Sequence, residues 1–267
     1  MPDSLPLPDP AEALAALAAD RSRRPVLVAL DFDGTLAPLQ DDPAASRVLP
    51  EGVGVLADLA ATDGVSLALV SGRAMADLHV LAEVPVGTLL VGSHGAERAR
   101  VTPHGLDRDV VRLTDDQADQ LATLGAEAAA VARGREGVWV ETKPTAVVVH
   151  TRLADADVAL SAEQESLALG ERLGTGVMHG KAVVELTVLH ASKGEALIAL
   201  RDEIGAPVVV YAGDDVTDER AFEALGEQDI TVKVGPGDTV ARYRVQSPED
   251  VVAALARFRD ALAPSAG

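Results

Sequence analysis

Short, nearly unbroken apolar runs recur along the chain at Val26–Leu30, Ser66–Val70, Thr88–Val91, Val208–Tyr211 and Ile230–Val234. Each gives way within two residues to Gly, Asp or Ser. Between several of them lie segments such as Gly52–Ala60 and Glu219–Leu225, whose apolar residues recur at helical spacing. A strand without polar alternation has no wet face. The pattern therefore predicts an α/β fold, with a parallel sheet covered by helices on both sides. In such sheets ligands collect beyond the carboxyl ends of the strands, which is where the polar residues stand. Near the start, Asp9-Pro10 reads as an N-cap and first helical turn.

The middle of the chain follows a different period. Over residues 138–143, Trp139, Glu141 and Lys143 share one parity, and over 148–152 His150 and Arg152 do. Over 179–185 the same parity joins His179, Lys181 and Glu185. Alternation implies one packed face and one solvated face, as in an antiparallel α+β layer. The expected organisation is a core made of residues 1–106 and 190–267, with a smaller α+β domain, residues 107–189, inserted into it.

Composition narrows the possible functions. With 267 residues, 48% of them apolar, the chain can bury a sizeable core. Its 23 Lys+Arg against 42 Asp+Glu leave a formal charge of −19, which repels phosphodiester backbones. The absence of cysteine removes disulfides, thiolate metal sites and thiol nucleophiles. No apolar run approaches the roughly 18 residues of a membrane span. The N-terminal segment lacks the basic start and long apolar centre of a secretory signal. The expectation is a cytoplasmic protein that binds neither nucleic acid nor membrane.

Four segments carry candidate chemistry. Leu30-Asp31-Phe32-Asp33-Gly34-Thr35 follows a buried strand and aims Asp31 and Asp33 the same way, an arrangement suited to a hard cation such as Mg²⁺. A plain Asp-Gly turn would look similar. Gly213-Asp214-Asp215-Val216-Thr217-Asp218-Glu219 places more carboxylates after another strand. A helix N-terminus accounts for Asp218 and Glu219, but two strands ending in paired carboxylates call for protonation or a bound cation. Val70-Ser71-Gly72-Arg73 offers a hydroxyl and backbone N–H groups to phosphate oxygens, or is an ordinary turn. Ser192-Lys193-Gly194 puts a lysine at a helix start, where it opposes the dipole unless an anion faces it. No nucleotide-phosphate loop, HExxH, GxSxG elbow or dinucleotide fingerprint is present, so metal-assisted hydrolysis ranks first.

In this order the four segments resemble the haloacid-dehalogenase-like (HAD) phosphohydrolases: DFDGT as the nucleophile motif, SGR as the phosphate-binding motif, Lys193 as the third and GDDVTDE as the acidic metal motif. The resemblance implies a Rossmann-like HAD core and an inserted α+β cap. Within that superfamily the chain looks like the trehalose-6-phosphate phosphatases. The match rests on DFDGTLAP, Gly92-Ser93-His94-Gly95-Ala96-Glu97, Glu141-x-Lys143, His150-x-Arg152, Gly180-Lys181-x₃-Glu185 and Thr217-Asp218-Glu219. It departs at Thr187-Val188, where many members carry Arg-Pro.

That resemblance implies a set of roles. Asp31 would be the nucleophile and Asp33 the acid and base, with Ser71, Gly72 and Lys193 binding phosphate. Mg²⁺ would be held by Asp31, the backbone carbonyl of Asp33 and Asp214, with Asp215 nearby or through water, and Asp218 would position Lys193. Arg73, His94, Glu141, Lys143, Lys181 and Glu185 would bind the sugar. The implied substrate is trehalose 6-phosphate, with association with a trehalose-6-phosphate synthase a further partner possibility. Alternatives are phosphatases for sucrose 6-phosphate or mannosyl-3-phosphoglycerate, a phosphomutase, and a non-catalytic metal-binding module. With so few aromatic residues, 2% of the chain, a sugar would be held mainly by charged groups.

A phosphate-bearing substrate has the same sign of charge as the chain, so the overall field opposes its capture. Raising ionic strength at saturating Mg²⁺ is expected to lower KM modestly in steady-state assays, and a clear rise would contradict a repulsive field.

Overall fold

The strand Val26–Leu30 (β1) is buried along its whole length, and its side chains divide between two cores. Val26, Val28 and Leu30 face one apolar cluster, while Leu27 and Ala29 face another. That division is what a sheet covered on both faces requires. The computed structural model describes residues 7–40, 42–109, 113–143, 145–180, 182–189 and 191–263. They fall into two compact units, Met1–Asp109 with Ala191–Gly267, and Val110–His190.

The larger unit holds an eight-stranded sheet. Its further strands are β2 (Val65–Val70), β3 (Leu89–Gly92), β4 (Glu97–Thr102) and β5 (Gly105–Arg108) in the first half of the unit. The smaller unit contributes β6 (Trp139–Thr142), β7 (Ala146–His150), β8 (Gly176–Gly180) and β9 (Val183–Thr187) to a sheet of its own. The larger sheet resumes with β10 (Val208–Gly213), β11 (Ile230–Val234) and β12 (Tyr243–Val245). The spatial order is β12-β11-β10-β1-β2-β3-β4-β5.

From β12 to β3 all pairs are parallel, and β4 and β5 then add antiparallel strands at one edge. These two were not visible as apolar runs, because Glu97–Thr102 alternates charged with buried residues, as an edge strand does. The boundary expected at residue 107 falls inside β5, where Asp107 pairs with Arg100.

Helices α1 (Ala11–Ala19), α2 (Pro50–Ala60), α3 (Met75–Ala82) and α8 (Pro248–Leu262) supply Leu17, Leu59, Leu78 and Phe258 to the first core. Helices α6 (Lys193–Ile204) and α7 (Val216–Ala224) supply Leu197 and Phe222 to the second. Pro10, not Asp9, is the N-cap of α1; the Asp9 carboxylate still accepts from Ala11 N at 2.8 Å.

In the smaller unit the antiparallel order is β6-β7-β9-β8, and one face packs on α4 (Asp115–Ala132) and α5 (Ala156–Leu173). Val147, Val149, Val184 and Leu186 point into that core, while Glu141 and Glu185 flank the buried Val148 on the other face. No helix among the described residues is long and apolar enough to cross a membrane.

Phe258 is fully buried between α8 and the sheet core. Phe258→Ala is expected to cost about 3–5 kcal/mol, read as a lower urea midpoint with an unchanged slope.

Candidate active site

Three neighbouring parallel strands end together at one place. β1 runs into Asp31, β2 into Ser71 and β10 into Asp214. The Asp31 N–H extends the ladder by donating to the Ala212 carbonyl at 2.9 Å. The sheet order reverses at β1, which has β10 on one side and β2 on the other. Such a switch point opens a crevice beyond the strand ends. The pocket there measures about 290 Å³ and is lined by Asp31, Asp33, Ser71, Gly72, Arg73, His94, Lys193, Asp214 and Asp215, with the exposed Leu39.

Lys193 is the first residue of α6, whose N-cap Ser192 accepts from Glu195 N at 3.1 Å. The anions that its position demands are Asp31 and Asp218. Its Nζ donates to Asp31 Oδ1 at 2.8 Å and to Asp218 Oδ1 at 2.9 Å, and all three side chains are buried. Burial pulls the ammonium down, but the two carboxylates outweigh it and its pKa rises. Burial pushes the Asp31 carboxyl well up; Lys193 opposes this, while Asp218 and Asp214 add repulsion.

Asp218 has every acceptor direction engaged. Its Oδ1 also accepts from the fully buried Tyr211 hydroxyl at 2.5 Å. Its Oδ2 accepts from the backbone N–H groups of Asp214 and Asp215, each at 3.0 Å. Burial, with Asp218 and Asp31 next, drives the Tyr211 phenol up and keeps it a donor.

Carboxylate oxygens of Asp31, Asp214 and Asp218 lie within 4.8 Å of one another. Because Asp218 already meets four donors, Asp31 and Asp214 are the ones left to take a cation. An all-oxygen, net-negative donor set fits a hard divalent ion. Asp214 is pushed up to about 6 by burial first, then by Asp218 and Asp215. Burial is the first cause at both Asp31 and Asp214, and the repulsion that neighbouring carboxylates add is what a bound cation would relieve. Gly34, at φ +75°, makes room for this arrangement: a Cβ there would stand 2.2 Å from Asp214 Oδ2.

The side chains of Asp215, expected near the metal, and of Asp33, expected to meet it through the backbone carbonyl, both have partners of their own. Asp215 is the N-cap of α7, its Oδ1 accepting from Thr217 N and Oγ1 at 2.7 Å and from Asp218 N at 3.1 Å. Burial raises its pKa, but Lys193 and these donors outweigh that and leave it lowered. Asp33 binds Arg73 through both oxygens, Nε–Oδ2 at 2.6 Å and Nη2–Oδ1 at 2.7 Å. The same guanidinium donates to Ser46 Oγ at 3.0 Å and lies 5.5 Å from the Phe32 ring centre. Arg73, expected against the sugar, is thus committed to Asp33. His94 lies on Gly72, where a Cβ would come within 2.4 Å of its Cε1. Burial and then Lys193 lower its pKa, against a smaller opposing pull from Asp215 and Asp218.

In the smaller unit, Glu141, Lys143 and Glu185 share the sheet face opposite its apolar core. Glu141 pairs across to Val148 and Val148 to Glu185, with Lys143 Nζ donating to Glu185 Oε2 at 2.8 Å. Trp139 stacks on His150 at 4.7 Å, and His150 Nε2 lies 2.9 Å from Glu141 Oε2. Arg152 lies past the end of β7, in a turn. His179 does not join Glu185. It pairs with Val184 on the helix-packed face and meets Glu163 at 3.1 Å, because the chain reverses between Gly180 and Val183 and parity does not cross a hairpin turn. Lys181 lies outside the described residues. Thr187, at the Arg-Pro departure, donates its hydroxyl to the Thr145 carbonyl at 3.0 Å.

Three residues with no assigned role join the larger unit's site. Tyr211 was hidden in an apolar strand. Lys233 left a signal, a lysine inside the buried run Ile230–Val234; it donates to the Asp214 carbonyl and lies 3.5 Å from Glu219 Oε1. Glu97, part of the quoted loop motif, binds Ser93 and the start of α3.

The raised Asp214 carboxyl gives a pH signature. Its folded pKa of about 6 exceeds the ordinary 3.8, so between those values the folded state holds a proton that the unfolded chain has released. Its contribution to the stability of the metal-free protein therefore declines as pH rises from about 4 to past 6, and a divalent cation offsets the decline. Thermal melts with and without Mg²⁺ should show a cation-induced gain that grows with pH through about 6 and shrinks in Asp214→Asn; a pH-independent gain contradicts this.

Comparison with known proteins agrees with this architecture. The family model for trehalose-phosphatase matches residues 29–249. A trehalose-phosphate phosphatase from Mycobacterium marinum is 34% identical over an alignment covering 96% of this chain and 67% of that protein. A bifunctional trehalose-6-phosphate synthase/phosphatase from Thermoproteus tenax is also 34% identical, over 82% of this chain and 30% of its own length. The chain thus spans about two thirds of the first relative and under one third of the second. Among solved structures, a trehalose-6-phosphate phosphatase from Aspergillus fumigatus aligns with a TM-score of 0.68 at 25% identity, over 96% of this chain and 99% of that one. The expectation of a HAD-type α/β fold is met, and the chain belongs to the trehalose-phosphatase family, whose members are phosphoric monoester hydrolases.

Proposed function

We propose that this chain hydrolyses trehalose 6-phosphate to trehalose and phosphate, with Mg²⁺ as cofactor and Asp31 as nucleophile. The observation that carries the reading is the buried contact of Lys193 with both Asp31 and Asp218 at the switch point of the sheet. An unprotonated Asp31 oxygen attacks phosphorus as the bond to the sugar oxygen breaks, giving an aspartyl phosphate. Asp33 donates its proton to that oxygen, since an alkoxide leaves poorly. It then takes a proton from the water that attacks phosphorus and frees Asp31. Lys193, Ser71 and the Gly72 backbone hold phosphate oxygens, and Asp218 positions Lys193.

Asp31, Asp214 and the Asp33 carbonyl are the groups assigned to Mg²⁺, with Asp215 nearby. When bound, the ion neutralises charge between the phosphate and the carboxylates. Arg73 is assigned to orient Asp33 rather than to touch sugar, given their bidentate pairing. Sugar recognition is assigned to His94 and, in the smaller unit, to Glu141, Lys143, Lys181 and Glu185. Association with the synthase is supported by the fusion of the two activities named for the T. tenax relative.

A phosphate-release assay over a panel of sugar phosphates tests the substrate. Trehalose 6-phosphate should turn over fastest, and Asp31→Asn should lose about 10³-fold or more in kcat. Faster turnover of sucrose 6-phosphate or mannosyl-3-phosphoglycerate would overturn the substrate assignment. Labelled phosphate that stays on sugar would identify a phosphomutase instead.

A further inference from the structure

Two consecutive residues without the freedom of glycine hold left-handed backbone beside the pocket: Ser93 at φ 48° and His94 at φ 57°, ψ 20°. Such conformations are unfavourable for residues that carry a Cβ and persist only where the surroundings impose them. The surroundings here are specific. Ser93 N donates to the Arg73 carbonyl at 2.7 Å and His94 N to the Ser71 carbonyl at 3.0 Å, tying the turn to the strand-to-helix loop that follows β2. On the next turn of chain, Gly95 leaves so little room that a Cβ would stand 2.7 Å from the Ser192 carbonyl oxygen.

One side chain closes the turn. Glu97, the first residue of β4, accepts from Ser93 Oγ at 2.9 Å through Oε1 and from Met75 N at 3.0 Å through Oε2. Met75 is the first residue of α3, whose N-cap Ala74 has no side chain able to cap it, so the carboxylate also serves an otherwise unpartnered helix donor. The consequence falls on His94. Its ring lies on Gly72 and its Nδ1 is buried without a hydrogen-bond partner, so the imidazole is placed by its backbone and by packing.

We propose that Glu97 is a positioning residue: its carboxylate clamps the left-handed Ser93–His94 turn to the start of α3, and so fixes the His94 imidazole over Gly72 in the phosphate-ester pocket. The inference rests on the proposed phosphatase reading for its effect on turnover, but the clamp itself is a property of the unliganded chain. Opening it lets Ser93 and His94 relax toward ordinary backbone angles and carries the ring out of the pocket.

The test is a double-mutant cycle on the Mg²⁺-loaded full chain, with wild type, His94→Ala, Glu97→Ala and the double variant. Each single variant should lose about 10- to 100-fold in kcat/KM, as expected for a misplaced contact group. The double variant should be no worse than His94→Ala, because Glu97 acts through His94. Losses that multiply, or wild-type kinetics in Glu97→Ala, would overturn the proposal. If Glu97→Ala fails to fold, Ser93→Ala, which removes one arm of the clamp, enters the same cycle with the same expectation.

An activity-independent arm uses imidazole NMR of the unliganded protein. Opening the clamp should move the His94 ring signals toward free-histidine values and leave the other five histidines in place. Unmoved His94 signals would overturn the clamp even in an active enzyme. Moved signals in a protein without phosphatase activity would uphold the clamp and refute the functional reading alone.

Discussion

A buried ammonium held between two buried carboxylates organises everything at the pocket. Lys193 is buried, so its ammonium depends on Asp31 and Asp218 for partners, and each of them gains a charge partner in it. Breaking such a pair by removing one partner typically costs about 3–5 kcal/mol, because it strands a charge in the interior. The three residues come from a strand end, a helix start and a second helix, so the contact ties β1, α6 and α7 into one arrangement. A lysine placed against the dipole of its own helix has its explanation in that contact.

Asp218 connects the triad to the rest of the site. Its four donors are the Lys193 ammonium, the Tyr211 hydroxyl and the N–H groups of Asp214 and Asp215. A carboxylate so engaged is fixed in place, and it shapes the turn that carries Asp214 toward Asp31. Lys233 holds the same turn from the other side through the Asp214 carbonyl. Asp31 and Asp214 bring carboxylate oxygens close together beside a fully engaged Asp218, and that donor set suits a divalent cation. Net charge over the whole chain hinted at repulsion; at the pocket the same sign becomes the source of cation affinity.

Much of this was legible in the sequence because buried parallel strands announce themselves. Val26–Leu30 and Ile230–Val234 have the same bounds in both readings, and the polar residues after β1, β2 and β10 do meet. The features without a local sequence signal depend on contacts between distant segments. Edge strands β4 and β5 carry charged residues and look like loops. The parity of His179 and Glu185 suggested one face until a hairpin turn intervened. Arg73 and Asp215 are chemically plausible for sugar and metal, yet Asp33 and the first turn of α7 claim them. Tyr211 had no marker at all, since a phenol in an apolar strand reads as core.

In the proposed reaction the Lys193-held carboxylate of Asp31 takes the phosphoryl group. Acid quenching of a single turnover with ³²P-labelled trehalose 6-phosphate, followed by peptide mapping, tests it most directly. Transient label is expected on the peptide containing Asp31, and none on that peptide in Asp31→Asn. Turnover with no protein-bound label, or label on a different peptide, would rule out Asp31 as the nucleophile.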